Sequence, residues 1–336
     1  MPIDVHAHYV PPQLITSVAA RGGDLGVRLA PSAGDAPPAL SFDYGFKVRP
    51  FFPRLVEPVA QRVAWLDEQG IDLQVVGTWP DIFGYGLAAE RCAAWHRMLN
   101  DTLAEWCNDN RERFAWIGSV PLAQPEAAAQ ELDRIATMGA CGVIISSNIE
   151  NVNIGELPLD PFWRKAEALG LPVLIHPVLV GAAPRAAKFG LAQIAQYTFD
   201  TTLGVGSLLM SGVLDRFPAL RLVLSHGGGA YPYLAGRFDI MHRRMNRHVQ
   251  GDIAEKMPSA YASQMAYDSI VHAPKALRFL IDATGLDNVV LGTDYSFPPA
   301  DMEPLDLLRA AGLSAADAAA ISDANPRRIF TRLKDR

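Results

Sequence analysis

Short apolar runs bounded by Gly, Pro or Asp recur along the chain, and between them lie longer stretches whose apolar residues return every three to four positions. The short runs predict eight strands, over residues 3–8, 73–79, 114–121, 142–146, 172–176, 220–226, 266–271 and 288–294. The longer stretches predict helices over 59–69, 88–108, 125–138, 161–169, 201–217, 274–284 and 304–311. Several of these open with Pro in the first turn, where a backbone N–H has no intrahelical partner. Several stop at a glycine: Gly70, Gly139, Gly170, Gly285 or Gly312.

Buried strands that alternate with helices pair in parallel through right-handed crossovers, and eight such units close a barrel. The pattern therefore predicts an α/β protein with the (β/α)8 TIM-barrel fold. An open doubly wound sheet is the alternative. It is disfavoured because no strand is followed by G-x-G-x-x-G, and glycines 227–229 lack that spacing. Residues 10–58, rich in Gly and Pro, are too long for an ordinary barrel loop, and they predict a small insertion over the mouth of one barrel domain spanning 1–336.

Composition narrows the function classes. The 336 residues are 49% hydrophobic with a net charge of −6, and no long basic run is present to track a phosphate backbone, so nucleic acid is not an expected partner. Cys92, Cys107 and Cys141 fit neither a disulfide framework nor a C-x-x-C knuckle, which suits a reducing compartment. Met1 leads directly into the apolar alternation of the first strand, and no window has the apolar length of a membrane helix. A cytoplasmic protein without a membrane partner is expected.

The candidate chemistry sits at the strand ends. His6 and His8 close the first strand two residues apart, so alternation points both imidazoles the same way. His176 ends the fifth strand in VLIHP, His226 the sixth in LVLSHGGG, and Asp294 the eighth in VVLGTDYSFP. In a barrel these ends converge on the face where active sites form. Three imidazoles and a carboxylate, His6, His8, His176 and Asp294, suit one divalent cation of the zinc type, with a water completing the shell. The fourth strand continues as GVIISSN and supplies no lysine or carboxylate to bridge a second metal. His226 is then more useful as an acid/base beside the metal-bound water, with glycines 227–229 letting backbone approach a substrate. The bland reading is a set of hydrogen-bonded structural histidines and glycines that only turn the chain.

Over nearly its whole length the chain resembles the metal-dependent amidohydrolase superfamily, in the branch of 2-amino-3-carboxymuconate-6-semialdehyde decarboxylase and related decarboxylases. The resemblance runs from IDVHAH through DRFPALRLVLSHGGGAYPYLAGRFD to LGTDYSFP and NPRRIF. It implies that His6, His8, His176 and Asp294 hold the metal, that His226 is catalytic with Asp294, and that Arg49 in VRPFF binds a substrate carboxylate. It also implies that Arg237 in AGRFD is a second such arginine, donated across a homodimer interface. Without the resemblance, either arginine reads as a solvated surface charge, although a guanidinium is well suited to grip a carboxylate. Two departures fall around the substrate: Val178 follows Pro177 where these decarboxylases tend to carry tryptophan, and their later tryptophan-containing segment appears as RAAKFGLAQ, with Phe189 its nearest aromatic.

The expectation is non-oxidative decarboxylation of a small carboxylated unsaturated or aromatic compound. The same frame could instead hydrolyse an ester, lactone or amide, where metal hydroxide attacks a carbonyl. Two carboxylate-gripping arginines favour the first. A barrel that only binds a partner is disfavoured because every chemical position is present.

Overall fold

The structure is a computed structural model that describes residues 1–30, 37–178, 183–245 and 253–334. Eight strands form one sheet in chain order: β1 (Ile3–His8), β2 (Leu73–Gly77), β3 (Phe114–Ser119), β4 (Gly142–Ser146), β5 (Val173–His176), β6 (Leu222–Leu224), β7 (Met265–Asp268) and β8 (Val289–Val290). Every neighbouring pair is parallel. Beyond β8 the chain stays hydrogen-bonded to β1, with Val5 N donating to Leu291 O at 2.9 Å, Asp294 N to His6 O at 2.8 Å and His8 N to Tyr295 O at 3.1 Å. These bonds close the sheet into the (β/α)8 barrel.

After each strand the chain returns through a helix: α1 (Val59–Gln69), α2 (Ala89–Asp109), α3 (Pro125–Thr137), α4 (Asp160–Leu169), α5 (Tyr197–Met210), α6 (Tyr231–Arg244), α7 (Pro274–Thr284) and α8 (Pro304–Ala310). The helix expected over 201–217 starts earlier and stops at Met210, because Gly212 takes a left-handed φ of 72° and a separate turn, Val213–Arg216, follows. Strands 6 to 8 are shorter than expected, since the residues that follow them leave ladder geometry to build the site.

Alternation sorts the strand residues into two cores. Val173, Ile175, Leu222 and Leu224 face the helices, while Leu174, Val223, Ala266 and Val290 fill the barrel interior. Ile329, Phe330 and Leu333, near the end of the chain, join the interior core. They close the end opposite the site: Arg221, just before β6, bonds the Ile329 carbonyl.

Between β1 and α1 the described residues form a helix, Pro12–Arg21, and an antiparallel hairpin of Val27–Ala30 with Ala39–Phe42. This unit packs its own core of Leu14, Val18, Leu40, Phe42 and Phe51 against Trp79, Trp95 and Phe297, so it rests on the loops that follow β2 and β8. No helix among the described residues is long and apolar enough to cross a membrane.

Candidate active site and metal centre

Strict alternation along β1 would put Ile3, Val5 and Ala7 on one face and His6 and His8 on the other. Ile3 and Val5 point into the barrel, yet Ala7 and Tyr9 belong to the outer core, with Tyr9 stacked 4.1 Å from Trp106 of α2. The register explains this. Between Asp4 and Ala7, β1 carries one residue more than the facing stretch of β2. This bulge flips the parity of the strand, so the apolar residues and the two imidazoles both reach the interior. The His6 N–H that leaves the ladder is taken by Asp4 Oδ1 at 3.1 Å.

The donor atoms then converge. His6 Nε2 lies 3.1 Å from His8 Nε2, and Asp294 Oδ1 lies 3.5 Å from His6 Nε2, 3.2 Å from His8 Nε2 and 3.8 Å from His176 Nε2. His226 joins from the other side, its Nε2 3.4 Å from Asp294 Oδ2. One atom from each of His6, His176, His226 and Asp294 fits within a span of 4.8 Å, and His8 Nε2 adjoins this group through His6 and Asp294. Both His226 and Asp294 have left-handed backbones, φ 54° and 56°, a conformation uncommon for residues with a Cβ and concentrated at functional sites.

Each Nδ1 of the first three histidines faces an acceptor: Asp268 Oδ2 at 2.6 Å for His6, Thr78 O at 3.3 Å for His8 and Pro177 O at 2.8 Å for His176. With the proton on Nδ1, each Nε2 lone pair is free to face the cluster. Burial keeps His8 below its ordinary range and drives His176 down to about 3, so both are neutral near pH 7. Burial works against ionisation of Asp294 too, but the surrounding imidazoles of His176, His226 and His8 outweigh that and hold it well below the usual carboxylate range. His176 Nε2 and Asp294 Oδ1 are buried without a hydrogen-bond partner. Converging lone pairs and an orphaned carboxylate oxygen fit the acceptor set that one divalent metal ion requires.

Asp268, at the end of β7, organises the centre and was not among the residues expected from sequence. It is fully buried and accepts from His6 Nδ1, from His226 N at 2.9 Å, from Gly227 N at 2.8 Å and from Ile270 N at 3.2 Å. Burial alone would raise its pKa, but the bond and charge of His6 bring it below the ordinary value. The signal in the sequence was an acid closing an apolar strand in MAYD.

Above the centre lies a cavity of about 260 Å³ whose apolar wall includes Trp79, Ile194, Ile270 and Phe297. His176, His226 and Asp294 form part of its lining, as do Arg49, Asp81, Tyr197 and His272. The Arg49 guanidinium sits 4.3 Å from the Phe52 ring centre and 3.7 Å from Asp81 Oδ2. Arg237 lies elsewhere. It is exposed on α6, and among the described residues it does not line the cavity and has no ion pair. Phe189 is 86% exposed and does not line it either; Gln193 and Ile194, further along that segment, do.

Fold and donor set together are those of a barrel enzyme able to hold one divalent metal ion. Residues 3–332 match the family model described as Amidohydrolase, and the chain belongs to that family. It is 32% identical over 249 residues to 2-amino-3-carboxymuconate-6-semialdehyde decarboxylase of Dictyostelium discoideum, covering 74% of this chain and 69% of the relative. Among solved structures, 5-carboxyvanillate decarboxylase from Sphingomonas paucimobilis superimposes with a TM-score of 0.80 at 25% identity, covering 98% of each chain. A dihydroxybenzoic acid decarboxylase from Polaromonas, solved with bound manganese, gives a TM-score of 0.75 at 21% identity over 98% of this chain and 96% of that one.

Proposed function

We propose that the chain is a non-oxidative decarboxylase of a small carboxylated aromatic or conjugated unsaturated compound. The observation that carries the reading is the convergence of His6, His8, His176 and Asp294 beneath an apolar-walled cavity that also presents Arg49. The names of the relatives point the same way. His6, His8, His176 and Asp294 are the metal ligands in this reading, and zinc fits three imidazoles and a carboxylate. When bound, the ion supplies a fixed positive charge that stabilises negative charge developing on the substrate.

The chain's own residues do the rest. Arg49, held against Phe52, anchors a substrate carboxylate through its guanidinium. The apolar wall excludes water, which strengthens every charge interaction inside. In the reaction the bond to the carboxylate carbon breaks, carbon dioxide leaves, the electron pair stays on the substrate carbon, and a proton takes the vacated position. His226 faces the cavity and its Nε2 faces Asp294 Oδ2, so the pair can hold and deliver that proton. Arg237 serves the site of a second copy. The exposed Phe199 and Leu203 of α5 and Tyr233, Ile240 and Met241 of α6 support an apolar contact beside it.

The test is a screen of carboxylated muconates, salicylates and vanillates for carbon dioxide release, run in D2O and in parallel in ¹⁸O-labelled water. Product bearing one deuterium at the vacated carbon is the expected result. Solvent ¹⁸O in a carboxylic product without carbon dioxide release would replace decarboxylation with hydrolysis.

A further inference from the structure

Asp81 follows β2 in a tight turn, Pro80–Ile82, whose neighbours fix its direction. Pro80 and Ile82 are buried, Ile82 N donates to Trp79 O at 3.1 Å and Phe83 N to Pro80 O at 3.1 Å. The Asp81 side chain lines the cavity and is only 16% exposed. Among the described residues no donor gives its carboxylate a hydrogen bond. The nearest cation is Arg49, at 3.7 Å, beyond hydrogen-bonding distance.

A structural counter-ion would look different. A carboxylate that held Arg49 would make a bond of about 2.8 Å, often a bidentate pair. Arg49 instead lies over the Phe52 ring, 4.3 Å from its centre, with the Trp79 ring centre 5.8 Å away, so aromatic contacts help to place it. Asp81 therefore keeps most of its acceptor capacity open, in an apolar-walled cavity where an unsatisfied carboxylate is unfavourable. Burial indeed pushes its carboxyl up to about 6 in spite of the opposing charge of Arg49. A group held in this way is matched to a donor that arrives with a ligand.

We propose that Asp81 is a specificity-determining residue whose carboxylate accepts a hydrogen bond from a hydroxyl or amino substituent next to the carboxylate that Arg49 holds. The proposal rests on the decarboxylase reading and narrows its substrate class to carboxylates that also carry a neighbouring donor. It explains why an acid lies beside the cation in a cavity that binds an anion. Alone it would repel the ligand. With a donor between them it becomes a recognition element and excludes carboxylates that lack one.

The experiment measures dissociation constants at pH 8 for 2-aminobenzoate, 2-hydroxybenzoate and 2-methylbenzoate on the metal-loaded protein, using wild type, Asp81→Leu and Asp81→Asn. The wild type should prefer the two donor-bearing probes by about 10- to 100-fold, as expected for a hydrogen bond to a charged group. Asp81→Leu should abolish that preference while leaving 2-methylbenzoate bound at least as well. Asp81→Asn, which keeps an acceptor oxygen and the shape, should retain part of it and covers the case in which the leucine variant fails to fold. Three results overturn the proposal: a wild type that binds no probe or all equally, a preference that survives both substitutions, or a uniform loss for all probes, which would make Asp81 a support for Arg49. Donor preference in a wild type that releases carbon dioxide from no carboxylate would refute the decarboxylase reading and leave the subsite standing.

Discussion

Replacing Asp268 by Asn changes one heavy atom at the centre of the site and almost nothing in volume. The amide oxygen can still accept from Gly227 N and Ile270 N, which both bond Oδ1. The amide nitrogen takes the place of Oδ2, which accepts from His6 Nδ1 at 2.6 Å and from His226 N at 2.9 Å. The backbone N–H of His226 has no alternative, and a buried donor facing another donor costs about 1–3 kcal/mol. His6 does have one, because its ring can move the proton from Nδ1 to Nε2. That puts a proton on the atom that faces His8 and Asp294, and the loss of such a supporting carboxylate lowers metal affinity by roughly 10- to 100-fold. Asp268→Asn is therefore expected to fold with reduced thermal stability and to yield its metal to a competing chelator at correspondingly lower concentration. Asp268→Ala leaves all four donors unmatched, a loss of about 4 kcal/mol or more, and should fail to accumulate as folded protein. A chelator titration in which Asp268→Asn matches the wild type would refute the tautomer argument.

Four further outcomes are expected. His6→Ala and Asp294→Ala should fold but bind metal far more weakly; stoichiometric metal in both, measured by elemental analysis, would remove them from the ligand set. His226→Ala should keep its metal and lose about 10²- to 10⁴-fold in turnover, whereas a metal-free variant would make His226 a ligand. Mixing inactive His226→Ala with inactive Arg237→Ala should restore part of the activity after subunit exchange, since one site of a mixed dimer carries neither defect; no recovery despite proven exchange would place Arg237 outside the neighbour's site. Asp81 gives a pH test. Its pKa is raised from 3.8 to about 6, so the folded state favours the neutral acid and ionisation costs up to about 3 kcal/mol. That penalty is full above about pH 6 and absent below about pH 4. Asp81→Asn should thus melt above the wild type at pH 8 and at the same temperature near pH 4, and a difference independent of pH would contradict it.

Much of this protein is determined by its sequence alone, for a definable reason. Burial of a strand on both faces requires continuous apolar runs, and burial of one helix face requires a period near 3.6, so eight strands and seven helices are legible and imply the barrel. A barrel collects its strand ends on one face, so His6, His8, His176, His226 and Asp294 are legible as a group once those runs are placed. Tertiary structure alone decided the features that depend on partners far away in the chain. The bulge that turns His6 and His8 inward is defined by the register against β2, about 70 residues away, and alternation read locally gives no sign of it. The left-handed backbones of His226 and Asp294 are set by what surrounds them, since neither residue type favours that conformation as glycine does. Asp268 becomes the organiser of the site because four donors from β1 and the loops after β6 and β7 meet there. Asp81 and Arg49, 32 positions apart in sequence, share a cavity only because the insertion rests on the loop after β2. Sequence states what each residue prefers; long-range contacts decide which preferences meet in one place.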